Sequence, residues 1–481
     1  MKKYILFLAF LSIVISCVPK LEKPPDLDLN VPQNWISIET TGEGEISQWW
    51  TRFNDPRLDE LVEVVLMENY DLKAAATRLD AAAALARIAG ADLYPQVSAN
   101  LNASRQKRNF VGFPFGGDGG GVQGFTSNLF GLSLNVSWEI DLWGRIRAAK
   151  SAAVADFQAT EADLSGYALS FIGQTVKAWF AAIEIMEQVR LSEATVKNYT
   201  TTNDQVHRRY RLGLRPSLDV RLSESNVATA EATLLLWQNQ LQQVKKLLDT
   251  LLGQYPSGQI ELSDKLPSIE EDVPAGLPAD IVSRRPDLVA AEKRLAVSYA
   301  RVIESQRALY PRISLTGSTG TSTDEFKNLL NGDYSVWNLV GNLLQPIFQG
   351  GRLRAGVDLA RAREAEALAL YAASVLNAYS EVEIALAAEE FLSEREAALR
   401  TAVVQSLAAR DLADDRYARG LSDLIEVLEA QRRAFLSQSQ LIGVQRARLD
   451  NRVELYLALG GDFMDVSHSQ TFAKKELSSN D

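Results

Sequence analysis

The chain has 481 residues, 23% of them charged, with a formal net charge of −11 and two histidines, His207 and His468. Such an acidic balance without a basic stripe excludes a nucleic-acid binder. The scarcity of histidine, with no Ser/His/Asp or HExxH pattern, argues against an enzyme. The single cysteine, Cys17, excludes an internal disulfide and a thiolate metal site, and no metal or cofactor is expected beyond a covalent lipid.

At the N-terminus, Lys2 and Lys3 precede an apolar run from Tyr4 to Ser16. The run is too short to cross a bilayer and has the form of a signal peptide, residues 1–16. It ends in Val14-Ile15-Ser16-Cys17, which resembles a bacterial lipobox and implies a mature chain beginning at Cys17, with diacylglycerol and an N-acyl chain attached there. Val18, where an aspartate would signal inner-membrane retention, implies an outer-membrane address. One acyl chain binds a membrane weakly, so a second membrane contact is expected. Mean hydropathy is −0.10 and no later apolar run suits a transmembrane helix, so any passage through the membrane must use β-strands.

An extended lipidated segment, residues 17–54, is expected to lead into a duplicated body. LYPQVSANLNAS (Leu93–Ser104) recurs as LYPRISLTGSTG (Leu309–Gly320), and ENYDLKAAATRL (Glu68–Leu79) as RRPDLVAAEKRL (Arg284–Leu295). LWGR (Leu142–Arg145) pairs with QGGR (Gln349–Arg352), and RRYRLGLRPSLDV (Arg208–Val220) with DRYARGLSDLIEV (Asp415–Val427). The spacing shortens along the chain because only the first copy carries the glycine-rich insertion Asn109–Phe125, which lacks the Lys-Ser/Thr of a phosphate loop. The repeats are placed at 55–262 and 263–460, each reading helix, strand, loop, strand, very long helix, helix; a polar tail, 461–481, follows.

The predicted strands are 94–106, 127–139, 311–322 and 336–348. Leu132, Leu134, Val136 and Trp138 alternate with Ser133, Asn135, Ser137 and Glu139, and Val97, Ala99, Leu101 and Ala103 alternate with Ser98, Asn100 and Asn102. About ten residues, apolar on one face and polar on the other, fit a transmembrane barrel with lipid outside and water inside. Four strands cannot close such a barrel, and an open edge cannot face lipid. Membrane passage therefore requires an oligomer.

Between Arg145 and Leu212 and between Arg352 and Tyr417 no proline intervenes, which predicts helices of roughly 100 Å. Ile172, Val176, Trp179, Ile183 and Met186 step by fours and threes, while Leu428, Phe435, Ile442, Leu449 and Tyr456 recur every seven residues, as do Val227, Leu234, Leu241 and Leu248. Such spacing implies coiled-coil packing.

The chain resembles the TolC-like outer-membrane factors, and within them the OprM/NodT-type lipoproteins that serve resistance-nodulation-division efflux pumps. The resemblance rests on the lipobox, WWTRFNDPRLDELV (Trp49–Val62), ENYDLKAAATR (Glu68–Arg78), ADLYPQ (Ala91–Gln96), SWEIDLWGRIR (Ser137–Arg147), RRPDLVAAE (Arg284–Glu292), LQPIFQGGRLR (Leu344–Arg354) and RYARGLSDLIEVLEAQ (Arg416–Gln431). It implies a mixed α/β membrane protein: a homotrimer whose strands form a twelve-stranded barrel, continued by a helical coiled-coil tunnel in the periplasm. The implied partners are a periplasmic adaptor and an inner-membrane RND transporter, handing drugs, toxic compounds or metals to the duct. A type I protein-secretion duct and a non-channel coiled-coil lipoprotein are the alternatives.

The resemblance also implies a gate. In this family the helix pair after the Arg-Tyr-x-x-Gly turn closes the periplasmic end, and matching from Gly420 puts Glu426 and Glu429 at its acidic positions. Three apart, they share a helix face. Six carboxylates in a trimer would repel one another, raise some pKa values and attract cations; a solvated helix face is the alternative. Tyr417 and Asp219 match a hydrogen-bonded lock between inner and outer helices. The family's arginine in that lock is Ser422 here, with Arg419 or Arg215 as candidate substitutes.

Overall fold

The computed structural model describes residues 35–36, 48–110, 123–269 and 281–461. Cys17 with its signal segment, most of the glycine-rich insertion and the polar tail beyond Gly461 lie outside the described residues. The chain falls into two compact units. One holds residues 80–159 and 292–370; the other holds the described parts of 28–79, 160–291 and 371–461.

In chain order the elements are α1 (Pro56–Glu68), α2 (Tyr70–Ala91), β1 (Gln96–Phe110), β2 (Gln123–Ile140), α3 (Arg145–Arg211), α4 (Ser217–Leu251), α5 (Ile281–Arg284), α6 (Pro286–Arg307), β3 (Arg312–Thr323), β4 (Ser335–Leu344), α7 (Arg352–Ala418) and α8 (Leu424–Ala458). The duplication is literal. α3 and α7 are each 67 residues long, and α4 and α8 each 35. Glycines with positive φ recur in matched pairs, Gly144 with Gly351, Gly213 with Gly420 and Gly253 with Gly460.

The first unit carries one antiparallel sheet in the order β1-β2-β3-β4. Its register sets Val97 opposite Val136, Ala99 opposite Leu134 and Leu101 opposite Leu132, continuing to Thr321 and Thr319 on β3. One face thus gathers Val97, Leu101, Leu132, Leu134, Val136, Trp138, Leu315, Trp337 and Leu339. The other gathers Ser98, Asn100, Asn102, Ser133, Asn135, Ser137, Thr316, Ser318 and Asn338, with Val336 and Val340 beside them on β4. Val97, Leu101, Trp337 and Leu339 are all more than 60% exposed, an arrangement that water disfavours and a lipid phase accepts. Gly320 sits where a Cβ would come within 2.0 Å of the Leu132 carbonyl oxygen, so only glycine permits this β2–β3 approach.

The strand ends differ from expectation. β1 and β2 remain paired out to Phe110 and Gln123, past the expected ends at 106 and 127 and into the edges of the insertion, because a ladder needs only backbone partners once its polar residues leave the apolar band. β4 stops at Leu344 rather than 348. Pro346 offers no amide, and the Gln345 side chain donates to the Leu309 carbonyl instead, at 3.1 Å.

The single helix expected at the head of each repeat is two. Asn69 ends α1 with extended backbone, its side-chain oxygen accepts from the amides of Asp71 and Leu72, and its amide donates to Leu251 O at 2.9 Å. In the second copy Arg285 interrupts α5 and α6 before Pro286. The segment expected to be extended through residue 54 contains a 3₁₀ turn at Trp49–Phe53.

The second unit buries its core around that turn. Trp49 stacks on Tyr456 with ring centroids 5.2 Å apart, and Phe53 meets Phe180 edge-on at 4.9 Å. Val176, Trp179 and Ile183 from α3 are fully buried, as their spacing predicts. Of the seven-residue stripes, Leu248, Leu449 and Tyr456 are buried while Val227, Leu234, Leu241, Leu428 and Ile442 are half-buried. Asp55 organises the entry to α1. Its carboxylate accepts from the amides of Arg57 and Leu58, from Ser263 Oγ at 2.9 Å and from Trp179 Nε1 at 2.8 Å. Arg285, also buried, ion-pairs with Asp287 and Glu381 and donates to Ala458 O at 3.1 Å.

Replacing Asp55 with alanine strands the buried Trp179 N–H and uncaps α1. The expected cost is about 1–3 kcal/mol, read as a lower thermal midpoint of the purified protein, whereas Glu261→Ala, at an exposed ion pair, should shift it little.

Candidate gate at the paired helical turns

In the second unit, α3 turns into α4 and α7 into α8 by the same device. Leu214 N donates to Arg209 O and Gly213 N to Tyr210 O; Leu421 N donates to Arg416 O and Gly420 N to Tyr417 O. Each is a Schellman cap requiring a left-handed residue, supplied by Gly213 (φ 74°) and Gly420 (φ 77°).

An apolar cluster of Val206, Val220, Tyr417, Leu424 and Val427 packs between the turns. Tyr417 is 1% exposed. Its ring is held by two guanidinium groups, Arg209 at 4.5 Å and Arg215 at 5.2 Å from the centroid, contacts worth about 0.5–2 kcal/mol each. Arg209 also donates to the carbonyls of Tyr417 and Ala418, both at 2.9 Å, where the negative end of the α7 dipole favours a cation. Arg215 reaches Ser422 O and Asp423 Oδ1, each at 3.3 Å, and lies 3.8 Å from Asp219 Oδ2.

Arg215 therefore ties the turn of the first copy to the turn of the second. Arg419, the other candidate, pairs locally with Asp415 at 2.9 Å. Tyr417 and Asp219, expected in a hydrogen-bonded lock between the helices, share no hydrogen bond with each other. Tyr417 Oη, Asp219 Oδ2 and Ser422 Oγ are all buried without a hydrogen-bond partner among the described residues. The Arg215 guanidinium instead lies near both, 3.8 Å from Asp219 Oδ2 and 5.2 Å from the centroid of the Tyr417 ring.

Beside this cluster, Gln431 donates to Thr202 Oγ1 and Asp414 Oδ1, both at 3.0 Å. Burial pushes the Asp414 carboxyl above its ordinary range, with Gln431 opposing. The two acidic positions are unlike each other. Glu426, in the first turn of α8, is exposed and has no ion pair among the described residues. Glu429 is bound by Arg433 at 2.6 Å and Arg432 at 2.8 Å, which hold its carboxyl below the usual range. Within one chain, then, the direction at Glu429 is opposite to the rise that crowded carboxylates would produce.

Arg209, Arg432 and Arg433 were not singled out in the sequence. Arg432 and Arg433 stand three and four residues after Glu429, a spacing that pairs charges on a helix, and Arg209 lies in the last helical turn, where cations are favoured.

The family model for outer membrane efflux proteins matches residues 61–254 and 277–461. The chain is 33% identical over 450 residues to the pyoverdine export outer membrane protein OpmQ of Pseudomonas putida, covering 91% of this chain and 93% of that protein. Its fold superposes on the outer-membrane channel OprN with a TM-score of 0.83 at 28% identity, covering 92% and 99% of the two chains. The open-state MtrE channel of Neisseria gonorrhoeae gives 0.78 at 28% identity, covering 92% and 98%. This chain belongs to the outer membrane efflux protein family, and its place is the outer membrane. Membership sets aside the reading of a coiled-coil lipoprotein without a channel.

Because Arg215 ties Ser422 and Asp423 of the second turn to the first, Arg215→Ala should raise amide hydrogen exchange at Leu421–Val427 by about an order of magnitude, given roughly 1.5–3 kcal/mol for charged hydrogen bonds. Tyr417→Phe, which removes an unpaired hydroxyl, should leave that exchange nearly unchanged.

Proposed function

We propose that this protein is the outer-membrane duct of a tripartite efflux system, exporting small molecules delivered by an inner-membrane RND transporter through a periplasmic adaptor. The observation that carries the reading is the four-stranded sheet with β1 and β4 unpaired at its edges and an apolar face turned outward. Such a sheet is stable in lipid only when copies pair edge to edge. Three copies give twelve strands, within the range of closed outer-membrane barrels. The export of pyoverdine by the relative OpmQ supports a small-molecule cargo.

In this reading the paired turns form the periplasmic gate. Arg215, Asp219, Asp423 and the clamped Tyr417 ring hold the inner helices α7 and α8 against α3 and α4. The exposed carboxylate of Glu426, with Glu429 behind it, gives the constriction its negative potential. Glu426 supplies most of that field, since Arg432 and Arg433 offset Glu429. Reconstituted in planar bilayers, the wild type should show a small, cation-selective conductance. Arg215→Ala with Asp219→Ala should raise it several-fold while the trimer survives native mass spectrometry. Glu426→Gln should reduce cation selectivity more than Glu429→Gln. Absence of any pore from intact trimers would overturn the duct itself.

The lipobox gives this duct a second hold on the membrane. Mature protein should begin at Cys17 with diacylglycerol and an N-acyl chain attached, detectable by mass spectrometry of the N-terminal peptide. Cys17→Ser should remove the lipid and leave the sheet to hold the membrane by itself.

A further inference from the structure

The outward face of the β1–β2 hairpin changes character along its length. Val97, Ala99, Leu101 and Ala103 lie opposite Val136, Leu134, Leu132 and Phe130, an unbroken apolar band. The next two outward positions on β1 are Arg105 and Lys107, opposite Asn128 and Thr126. Both cations are exposed, and neither has an ion-pair partner among the described residues. β1 contains no acidic residue, and the only one on β2, Glu139, stands at the opposite end of the hairpin, where it pairs with Arg145. In the β3–β4 connection, Glu325 is taken by Lys327 at 2.7 Å.

Position along the strand decides what these cations meet. A transmembrane β-strand needs about 9–11 residues to cross the hydrocarbon. Counted from Gln96, where β1 leaves the helical end, the crossing finishes between Ser104 and Gln106. Arg105 falls on the boundary and Lys107 just beyond it, at the end of the sheet away from the helices. Gly124 leaves room for Lys107 to lie along the strand, since a Cβ there would come within 2.9 Å of Lys107 Cε and of Asn109 Oδ1. Two cations about 7 Å apart on a strand, with amide and hydroxyl groups beside them, match a headgroup carrying phosphates on a sugar.

We propose that Arg105 and Lys107, with Asn109, Asn128 and Thr126 beside them, bind the phosphorylated sugar headgroup of an outer-leaflet lipid at the rim of the barrel. The site rests on the outer-membrane location alone. It is independent of the gate and of the cargo.

The test uses full-length protein in detergent, titrated with diphosphoryl lipid A and read by native mass spectrometry. Wild type should retain the lipid, and Arg105→Gln with Lys107→Gln should weaken binding about tenfold or more, as loss of two surface cations predicts. Removing two charges elsewhere, by Arg361→Gln with Arg363→Gln, should change nothing, and dephosphorylated lipid should bind wild type as weakly as diphosphoryl lipid A binds the glutamine pair. Arg105→Lys with Lys107→Arg, which keeps both charges, should bind like wild type. Undiminished binding to the glutamine pair, equal binding of dephosphorylated lipid, loss in the charge-keeping variant, or displacement by millimolar inorganic phosphate would each overturn the proposal.

Discussion

A backbone amide or carbonyl left unpaired in hydrocarbon costs several kcal/mol, and no side chain can compensate for a whole strand of them. β1 and β4 each present such an edge. Most of the rest follows from this one constraint. The apolar face of the sheet tolerates lipid, yet the edges do not, so the fold of one chain is complete only in company. The duplication serves the same end: two copies of a hairpin-and-helix unit place four strands in one antiparallel sheet, so that a small number of chains suffices for closure.

The helical half follows a different economy. Sixty-seven residues without proline give α3 and α7 their length, but length alone leaves a chain that frays at its ends. The turns are therefore the points of control. Matched glycines with positive φ reverse the chain at equivalent places in both copies, and the Schellman hydrogen bonds are the same in each. Within that common backbone the side chains have parted. Tyr417 is buried under two guanidinium groups while its counterpart Tyr210 is 45% exposed. His207 and Glu224 in one copy stand where Asp414 and Gln431 stand in the other, and each pair bridges its own two helices.

How much of this was legible depends on what enforced it. The strand faces could be read because lipid on one side and water on the other demand strict alternation, as in Leu132 to Glu139. The long helices could be read because proline is excluded from them. The limits of β1 and β2 could not, since beyond Ala103 the ladder persists on backbone pairing that polar residues such as Gln106 and Asn109 do not advertise. The break at Asn69 was equally hidden, because an asparagine cap inside an apolar pattern looks like an ordinary polar position until its side chain is seen holding Asp71, Leu72 and Leu251. The positions of the candidate gate were found through resemblance, and Arg215 was one of two candidate arginines for it, but the acceptors it reaches were not. An arginine side chain is long enough to serve several acceptors, and sequence spacing does not say that Arg215 chooses the other copy's turn.

The asymmetry between the turns has a simple electrostatic origin. Arg215 and Asp219 are four apart at the start of α4, and the equivalent positions at the start of α8 are Ser422 and Glu426. In the first copy Arg215 stands 3.8 Å from Asp219 Oδ2, an ion pair without a hydrogen bond, and the acid is mostly buried. In the second, serine has no charge to offer, so Glu426 stands exposed with no ion pair among the described residues, and Ser422 Oγ has no hydrogen-bond partner among them. The same Arg215 that quiets Asp219 then reaches across to Ser422 O and Asp423. One arginine thus takes part in both turns, and its absence from position 422 is what leaves a free carboxylate beside them. A lysine in place of Arg215 would lack the planar fork needed to meet two acceptors while lying over the Tyr417 ring. Position 215 is therefore specific for arginine, as charge alone would not require.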